Sequence, residues 1–496
     1  MTATAHGLTR FDQLMKACLR GQGPARPAPQ VLGRMFPANP VEVANIDHAG
    51  VIDALDELAG TMLADTNADG PADAGMTFLG QFVDHDVTLD ATSALGTRID
   101  PATIANVRTP GLDLDCVYGA GPEASGLLYG DAAHGQDHFL LFGRDDNHDD
   151  LARTCAGKAL IGDHRNDENI VVSQVQGLFI KLHNILMSKL SDSADVAADV
   201  CDCARHGIAA HVWHDHVKPQ LTSFEEVRRF IRLHYQWIVW NELLPAFVQP
   251  HCLQAAIWDD RIAPHAPAMP VEFSGACYRF GHATTQATYQ MTAGGAPRGL
   301  FDMRGFGPRP IAANLDMDRF FSLAGGSPAQ RARPVAPKLG QPLFALPFVE
   351  NPVHLADIDE DLSLERSANL ALRNMVRDRY TYQLASGQSV AAAFGADPVD
   401  VPDALRSRGI TKTPLWFYAL QEAETHGGGR LTGAGGAVVA TVFANLLRRD
   451  PNSVVHLPGF TPWSGFGGHP TCMGGIVAYV RANAGHVRDP EHLRCG

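Results

Sequence analysis

Six consecutive residues, Gln81-Phe82-Val83-Asp84-His85-Asp86, put a carboxamide, an imidazole and two carboxylates inside an otherwise apolar stretch that includes Met76, Phe78, Leu79, Phe82 and Val83. A fold that buries the apolar positions must find partners for the polar ones. Read as a helix, the segment puts Gln81, Asp84 and His85 on one face, because residues three and four apart are neighbours. Asp86 then lies about 200° from Asp84, at 3.6 residues per turn. One turn thus offers a His, a Gln and an Asp to one ligand and a second Asp to another. By itself the string also reads as a solvated polar turn with a capping Asp, and other segments decide between the two.

A chain of 496 residues can bury a large core, and 45% hydrophobic with 19% charged residues is ordinary for a globular protein. The formal net charge of −14 argues against nucleic acid or an anionic membrane surface as partner, since both need basic patches. The N-terminal residues carry no apolar signal core, and no run approaches the roughly 18 apolar residues of a membrane span. Nine cysteines, an odd number without framework spacing, favour free thiols in a reducing compartment. The expected location is the cytoplasm, or the exterior by export without a recognisable signal peptide.

Residues 22–40 are too rich in Pro and Gly for regular structure, so residues 1–45 read as an extended arm on a body formed by 46–496. Residues 50–63 look helical, and a Gly/Asp/Asn loop at 65–75 leads into the 81–86 helix. Residues 91–165 are mostly irregular. After Asn169, Val172, Val175, Leu178, Phe179, Leu182, Ile185 and Leu186 recur at helical intervals. Ser223-Phe224-Glu225-Glu226 has capping-box spacing and predicts a helix running to Leu244, stopped at Pro245. Residues 290–340 read as loop, with further helices around 367–384 and 436–449. Strand-like alternation is scarce. The fold class expected is mainly α: one large helical domain with long irregular loops and little strand.

Three more segments supply complementary chemistry. In Gly162-Asp163-His164-Arg165-Asn166-Asp167-Glu168-Asn169, Arg165 and Glu168 are three apart and can project to one side. In Tyr278-Arg279-Phe280-Gly281-His282, an Arg and a His flank a glycine that would let a flat ligand approach the backbone. In Asn374-Met375-Val376-Arg377, Asn374 and Arg377 share a helix face, and a buried pair of this kind needs partners such as an imidazole and a ligand carboxylate. Each segment alone is equally a surface turn, a core histidine or a solvated helix face.

Together and in this order, the four segments resemble the animal-type haem peroxidases of the peroxidase–cyclooxygenase superfamily, in a bacterial-like branch. The resemblance runs from Arg34-Met35-Phe36-Pro37 to the helix at 431–449. It implies a haem b enzyme that reduces H2O2 and oxidises a small donor, halide or phenolic, through a ferryl intermediate. His85 is then the distal histidine, Gln81 its companion and Arg165 the distal catalytic arginine. His282 is the iron ligand and Asn374 accepts its ring N–H. Arg279 and Arg377 lie near the haem, Arg377 at a propionate. Asp84 and Glu168 match the two carboxylates that form ester bonds to haem methyl groups in mammalian members. Asn169 stands where one member has a methionine bonded to a haem vinyl, so that third bond should be absent. The resemblance also implies a structural Ca²⁺ held by Asp86, Thr109, the Gly111 carbonyl, Asp113 and Asp115, an all-oxygen set that suits a hard cation. One extra residue separates Asn374 from Leu384-Ala385-Ser386-Gly387 compared with typical relatives.

Several rival readings remain. Cys201, Cys203, His206, His211, His214 and His216 suggest zinc by density, but the C-x-C spacing and diverging histidines favour a polar helix surface. Asp145, Asn147 and Asp149 begin like an EF-hand loop, but the sixth position is Asp150 and the twelfth Ala156, so a solvated acidic loop is expected. Gly433-Ala434-Gly435-Gly436 lacks the preceding strand of a dinucleotide site. Fatty-acid dioxygenases of the same superfamily carry a radical tyrosine three residues before the iron-ligating histidine. Here that position is Arg279, and Tyr278 is expected to point elsewhere. A haem- or zinc-binding protein without catalysis is the third reading.

Overall fold

Apolar residues at helical spacing dominate the chain, and the structure, a computed structural model describing residues 32–39, 46–64, 67–88, 95, 97, 98, 100, 111–257 and 269–486, is mainly α-helical. The principal helices are α1 (His48–Thr61), α2 (Ala74–Val87), α3 (Ile170–Asp192), α4 (Ala194–Ala204), α5 (Ser223–Ile238), α6 (Gly281–Thr284), α7 (Leu370–Val376), α8 (Leu415–Thr425), α9 (Gly433–Arg449) and α10 (Cys472–Ala482). Strand among the described residues is confined to four two-stranded pairs. β1 (Leu32–Gly33) runs parallel to β4 (Met269–Pro270). β2 (Phe142–Arg144) with β3 (Asn147–Leu151), β5 (Thr288–Gln290) with β6 (Pro297–Gly299), and β7 (Val353–Leu355) with β8 (Glu360–Leu362) are antiparallel.

The centre of the body is α3, which packs against α2, α4, α5 and α10. Its start is fixed by Asn169, whose side chain accepts from the Val171 N–H at 2.8 Å, an Asn N-cap. At 23 residues α3 is long and apolar enough to cross a bilayer, contrary to the expectation that no such run exists, but 89% of its most apolar window is buried inside the protein. Phe82 of α2 stacks on Phe179 of α3 at 5.2 Å, and Tyr235 of α5 meets both rings edge-on. This aromatic wedge fixes the roll of α2 about its axis. The polar residues on either side of Phe82 are thereby aimed.

Of the N-terminal arm, residues 32–39 are described; residues 1–31 and 40–45 lie outside the described residues. The Met35 and Phe36 N–H groups donate to the buried Glu272 carboxylate at 2.9 and 3.1 Å.

Three local expectations are corrected. The capping box of α5 is formed by Thr222 and Glu225, one residue earlier than predicted. The helix then passes Pro245: a π turn (Val239–Leu243) leads into a short helix (Leu244–Phe247) that holds Pro245 in its first turn, where a missing N–H costs little. The predicted 367–384 helix is α7 followed by a second π turn, Arg377–Thr381. A π turn closes its hydrogen-bonded ring with one residue more than an α turn. The turn lies downstream of Asn374 and leaves Asn374 on the face of α7.

The acidic stretch 145–150 is not simply solvated. Asp150 is fully buried and accepts from Arg144 (2.8 Å) and Arg153 (2.9 Å). Arg153 also forks onto Asp167 at 2.6 and 2.7 Å. This buried bidentate pair anchors the turn that carries Arg165 and Glu168.

Candidate functional site

A cavity of about 560 Å³ opens between the C-terminal half of α2 and the segment leading into α6. Gln81, Asp84, His85, Glu168 and Asn169 line it from the α2 side, and Tyr278, Arg279, Gly281 and His282 from the other. The two segments are tied along one edge, where Thr77 and Thr284 share a hydroxyl–hydroxyl bond of 2.9 Å and the Tyr278 hydroxyl donates to the Gly80 carbonyl at 3.1 Å. A Cβ added at Gly281 would meet nothing within 4 Å, so the backbone there is open to a flat ligand. Tyr278, expected to point elsewhere, lines the cavity, because Cys277–Phe280 is a 3-10 turn rather than α.

His85 is buried, and its Nδ1 lies 2.7 Å from Asn166 Oδ1. Its Nε2 is 3.6 Å from Glu168 Oε1, beyond hydrogen-bond length. Burial, and then the nearby Arg165 charge, lower its pKa to about 4, so it is neutral at pH 7. Gln81 Nε2 donates to Glu168 Oε1. Burial raises the Glu168 pKa.

Arg165 is not among the cavity's lining side chains. Its guanidinium donates to the buried Asp163 carboxylate at 2.7 Å and to the His85 and Thr88 carbonyls at 3.0 and 2.6 Å. It thus satisfies carbonyl groups at the end of α2 that the helix leaves without partners, and puts positive charge behind His85. The pairing of Arg165 and Glu168 on one side does not occur: Glu168 lines the cavity and Arg165 turns back to Asp163.

His282 is held on its Nδ1 side by Asn374, whose Nδ2 lies at 3.2 Å. Asn374 Oδ1 accepts from Arg377 at 3.4 Å. Burial, and then Arg279 and Arg377, lower the His282 pKa to about 3. The Arg279 Nε donates to the Ser274 carbonyl at 2.9 Å, and Arg279 itself lines the cavity. Trp416 of α8 donates its indole N–H to the Arg279 carbonyl at 3.2 Å.

Asp86, on the far side of α2 from the cavity, is fully buried. It gathers with Asp113 and Asp115, which are also buried, so that one carboxylate oxygen from each lies within 4.8 Å of the others. Asp86 Oδ2 accepts from Tyr235 (3.1 Å) and from the Leu114 N–H (3.3 Å), while Oδ1 has no hydrogen-bond partner among the described residues. Burial, and then Asp115, push the Asp86 pKa up to about 7. Asp113 is likewise raised, by burial first and then by Asp115 and Asp86. Three carboxyl groups so placed need a proton or a cation between them. The Gly111 carbonyl accepts from the Asp113 N–H at 2.9 Å, and Thr109 lies outside the described residues. This is the one group of three or more potential metal ligands among the described residues; the Cys201–His216 segment forms none.

Sequence reasoning missed Asn166 and Gln176, which stand behind His85, and Arg304, Phe301, Phe306 and Phe348, which line the cavity. Asn166 lay inside a motif already singled out, but a carboxamide between charged residues has no periodic signature. The 301–306 residues arrive through long-range loop contacts: the Gly305 and Phe306 N–H groups donate to the Glu168 and Asp167 carbonyls at 3.0 and 2.7 Å. A Cβ at Gly305 would meet the Asp167 carbonyl oxygen at 1.7 Å, so this approach requires glycine.

Among curated proteins none matches the sequence. Several solved structures share the fold. Peroxidase A from Dictyostelium discoideum is 14% identical with a TM-score of 0.58, over 92% of this chain and 93% of that one. The fatty acid alpha-dioxygenase of Oryza sativa is 16% identical with a TM-score of 0.54, over 91% and 79%. That of Arabidopsis thaliana is 14% identical with a TM-score of 0.53, over 92% and 75%. The sequence profile described as animal haem peroxidase matches residues 88–335, a span that takes in Arg165, Glu168 and His282 and begins just after His85. With half of its 496 residues matched by that profile, this chain belongs to the animal haem peroxidase family.

Proposed function

We propose that this protein is a haem peroxidase that reduces H2O2 and oxidises small donors, phenolic or other aromatic molecules foremost and halide as the alternative. The observation that carries the reading is a single cavity lined by two neutral imidazoles, the buried His85 and the half-buried His282. Haem, which the family implies, fits these residues. His282, its pKa lowered to about 3, is a neutral imidazole at pH 7. Gly281 leaves the backbone open beside it, and Phe78, Phe247, Phe280, Leu300 and Met303 supply apolar walls. His282 would hold the iron, Arg377 would meet a propionate with Arg279 near the haem, and Asp84 and Glu168 are the carboxylates available for ester bonds. When bound, haem supplies an iron that peroxide oxidises and a donor then reduces.

The chain's own residues handle protons and charge. His85 takes a proton from peroxide and returns it to the departing oxygen, as general base and then general acid. Arg165 acts from behind the histidine, keeping it neutral and stabilising negative charge that develops beside it. Gln81, bonded to Glu168 on the cavity wall, stands where a halide or water would dock.

Phe306 and Phe348 line the cavity yet are each 60% exposed, and Phe348 meets Phe301 edge-on at 6.2 Å. An aromatic mouth of this kind supports an aromatic donor over a bare halide. The Asp86–Asp113–Asp115 cluster fits Ca²⁺: its ligands are all oxygen, and Asp86 Oδ1 is a buried acceptor without a donor. Residues 46–496 are taken as one catalytic unit and 1–45 as its arm.

The test is the absorption spectrum of the haem-loaded protein before and after one equivalent of H2O2. A rapid shift of the Soret band that is lost in His85→Ala and Arg165→Ala is expected. Unchanged peroxide reduction in those variants would sink the proposal. A fatty-acid dioxygenase is the second reading, favoured by one observation, that Tyr278 lines the cavity. It requires O2 uptake with a long-chain fatty acid that is abolished in Tyr278→Phe.

A further inference from the structure

Asn166 and Gln176 extend inward from His85 as a buried line of carboxamides. Both are fully buried and His85 nearly so. Asn166 Oδ1 sits 2.7 Å from His85 Nδ1, Asn166 Nδ2 donates to Gln176 Oε1 at 2.8 Å, and Gln176 Nε2 donates to the Cys116 carbonyl at 3.2 Å. The line ends on a main-chain carbonyl, which can only accept. That fact sets every orientation upstream. Gln176 must turn its NH2 to Cys116 and its oxygen to Asn166. Asn166 must then turn its NH2 to Gln176 and its oxygen to His85. Nδ1, facing an oxygen that cannot donate, must carry the ring proton.

We infer that Asn166 and Gln176 are positioning residues that hold the proton of His85 on Nδ1 and leave Nε2 bare toward the cavity, a role that rests on the peroxidase reading of that cavity. A histidine that is to take a proton from peroxide needs its cavity-side nitrogen unprotonated. The competing partner is Glu168, whose carboxylate would draw the proton to Nε2. It loses on distance, 3.6 Å against 2.7 Å, and its Oε1 is occupied by the Gln81 amide. The assignment of a tautomer by the bond on the opposite ring nitrogen is the general way in which a histidine's role is set.

The experiment has two arms. The first uses the full chain, freed of haem and labelled with [15N]histidine, with His85→Gln to assign the signals. The wild type should show His85 with a protonated Nδ1 and a bare Nε2. Asn166→Asp should keep that pattern, because a buried, protonated carboxyl accepts the same N–H on one oxygen and donates its O–H to Gln176 Oε1 with the other. Asn166→Leu and Gln176→Leu should mix or reverse it. A wild type protonated at Nε2, or a pattern that survives Asn166→Leu, overturns the inference. The second arm uses the haem-loaded protein. Asn166→Leu should slow the reaction with H2O2 by about 10- to 100-fold at unchanged haem content, and Asn166→Asp should restore it. A loss that Asn166→Asp does not restore makes the role merely structural and overturns positioning. A wild type that holds the tautomer yet ignores peroxide overturns the peroxidase reading instead, so the two failures are told apart.

Discussion

The two histidines of the cavity are each backed by an asparagine, and the two arrangements differ in how firmly they are set. Behind His85 the contacts are 2.7 and 2.8 Å, and the amide orientation is dictated by a main-chain carbonyl two steps away. Behind His282 they are 3.2 and 3.4 Å, and the orientation depends on Arg377 alone. Arg377 can only donate, so it turns Asn374 Oδ1 toward itself and the NH2 toward His282 Nδ1. That polarity puts the ring proton on Nε2, the reverse of Asn374 accepting the ring N–H. Turning the amide over restores an acceptor at Nδ1 and gives up one long bond to Arg377. The His85 side is therefore set in advance, and the His282 side is left to adjust when a ligand draws Arg377 away.

The largest effect expected is at His282. His282→Ala should abolish haem retention, read as Soret absorbance per protein after reconstitution; full retention would break the comparison at its root. Next, His85→Ala should retain haem but slow the peroxide reaction by about 10²- to 10⁴-fold in stopped flow, the usual worth of a positioned general base. Asn374→Leu should weaken haem binding about 10- to 100-fold, measured by transfer to a competing apoprotein. Asn166→Leu should leave haem binding alone. If both variants weaken haem equally, the division of labour between the two asparagines is wrong.

Smaller effects concern charge. His85 keeps its lone pair until its folded pKa of about 4, so the peroxide reaction should stay flat on the acid side and fall only as pH approaches that value. Arg165 lowers that pKa, so Arg165→Gln should move the acid limb upward; a downward or absent shift would remove Arg165 from the account. The smallest effect is on stability. Chelation of Ca²⁺ should lower the melting temperature by a few degrees, on the order of one or two kcal/mol, and Asp86→Asn should erase the response.

The helices were legible where periodicity is long, as in α3, and the edges were not. Pro245 and the 377–381 segment misled because a π turn leaves no trace in hydrophobic spacing. The polar face of α2 was legible because Asp84 and His85 sit three and four residues after Gln81, and the structure gathers these three on the cavity while Asp86 faces the other way. The spacing of Arg165 from Glu168 said nothing about Asp163, which claims the guanidinium. Asp150, expected in water, is buried because Arg309 reaches it from a distant loop while Arg144 and Arg153 close on it from its own segment. The aromatic mouth was illegible for the same reason, since Phe306 and Phe348 come from loops whose paths only tertiary contacts define.

The π turn at Arg377–Thr381 also bears on how this sequence should be aligned with its relatives. A π turn accommodates one residue more than an α turn, and this one begins inside a helix, three positions past Asn374. A gap pushed into the neighbouring loop would shift Asn374 by one place and move it off the face that meets His282. Deleting one residue within 377–381 should tighten the turn to an ordinary α turn and leave the histidine's partner where it is. The helix thus acts as a slack link, letting chain length drift on one side without disturbing the register of chemistry on the other.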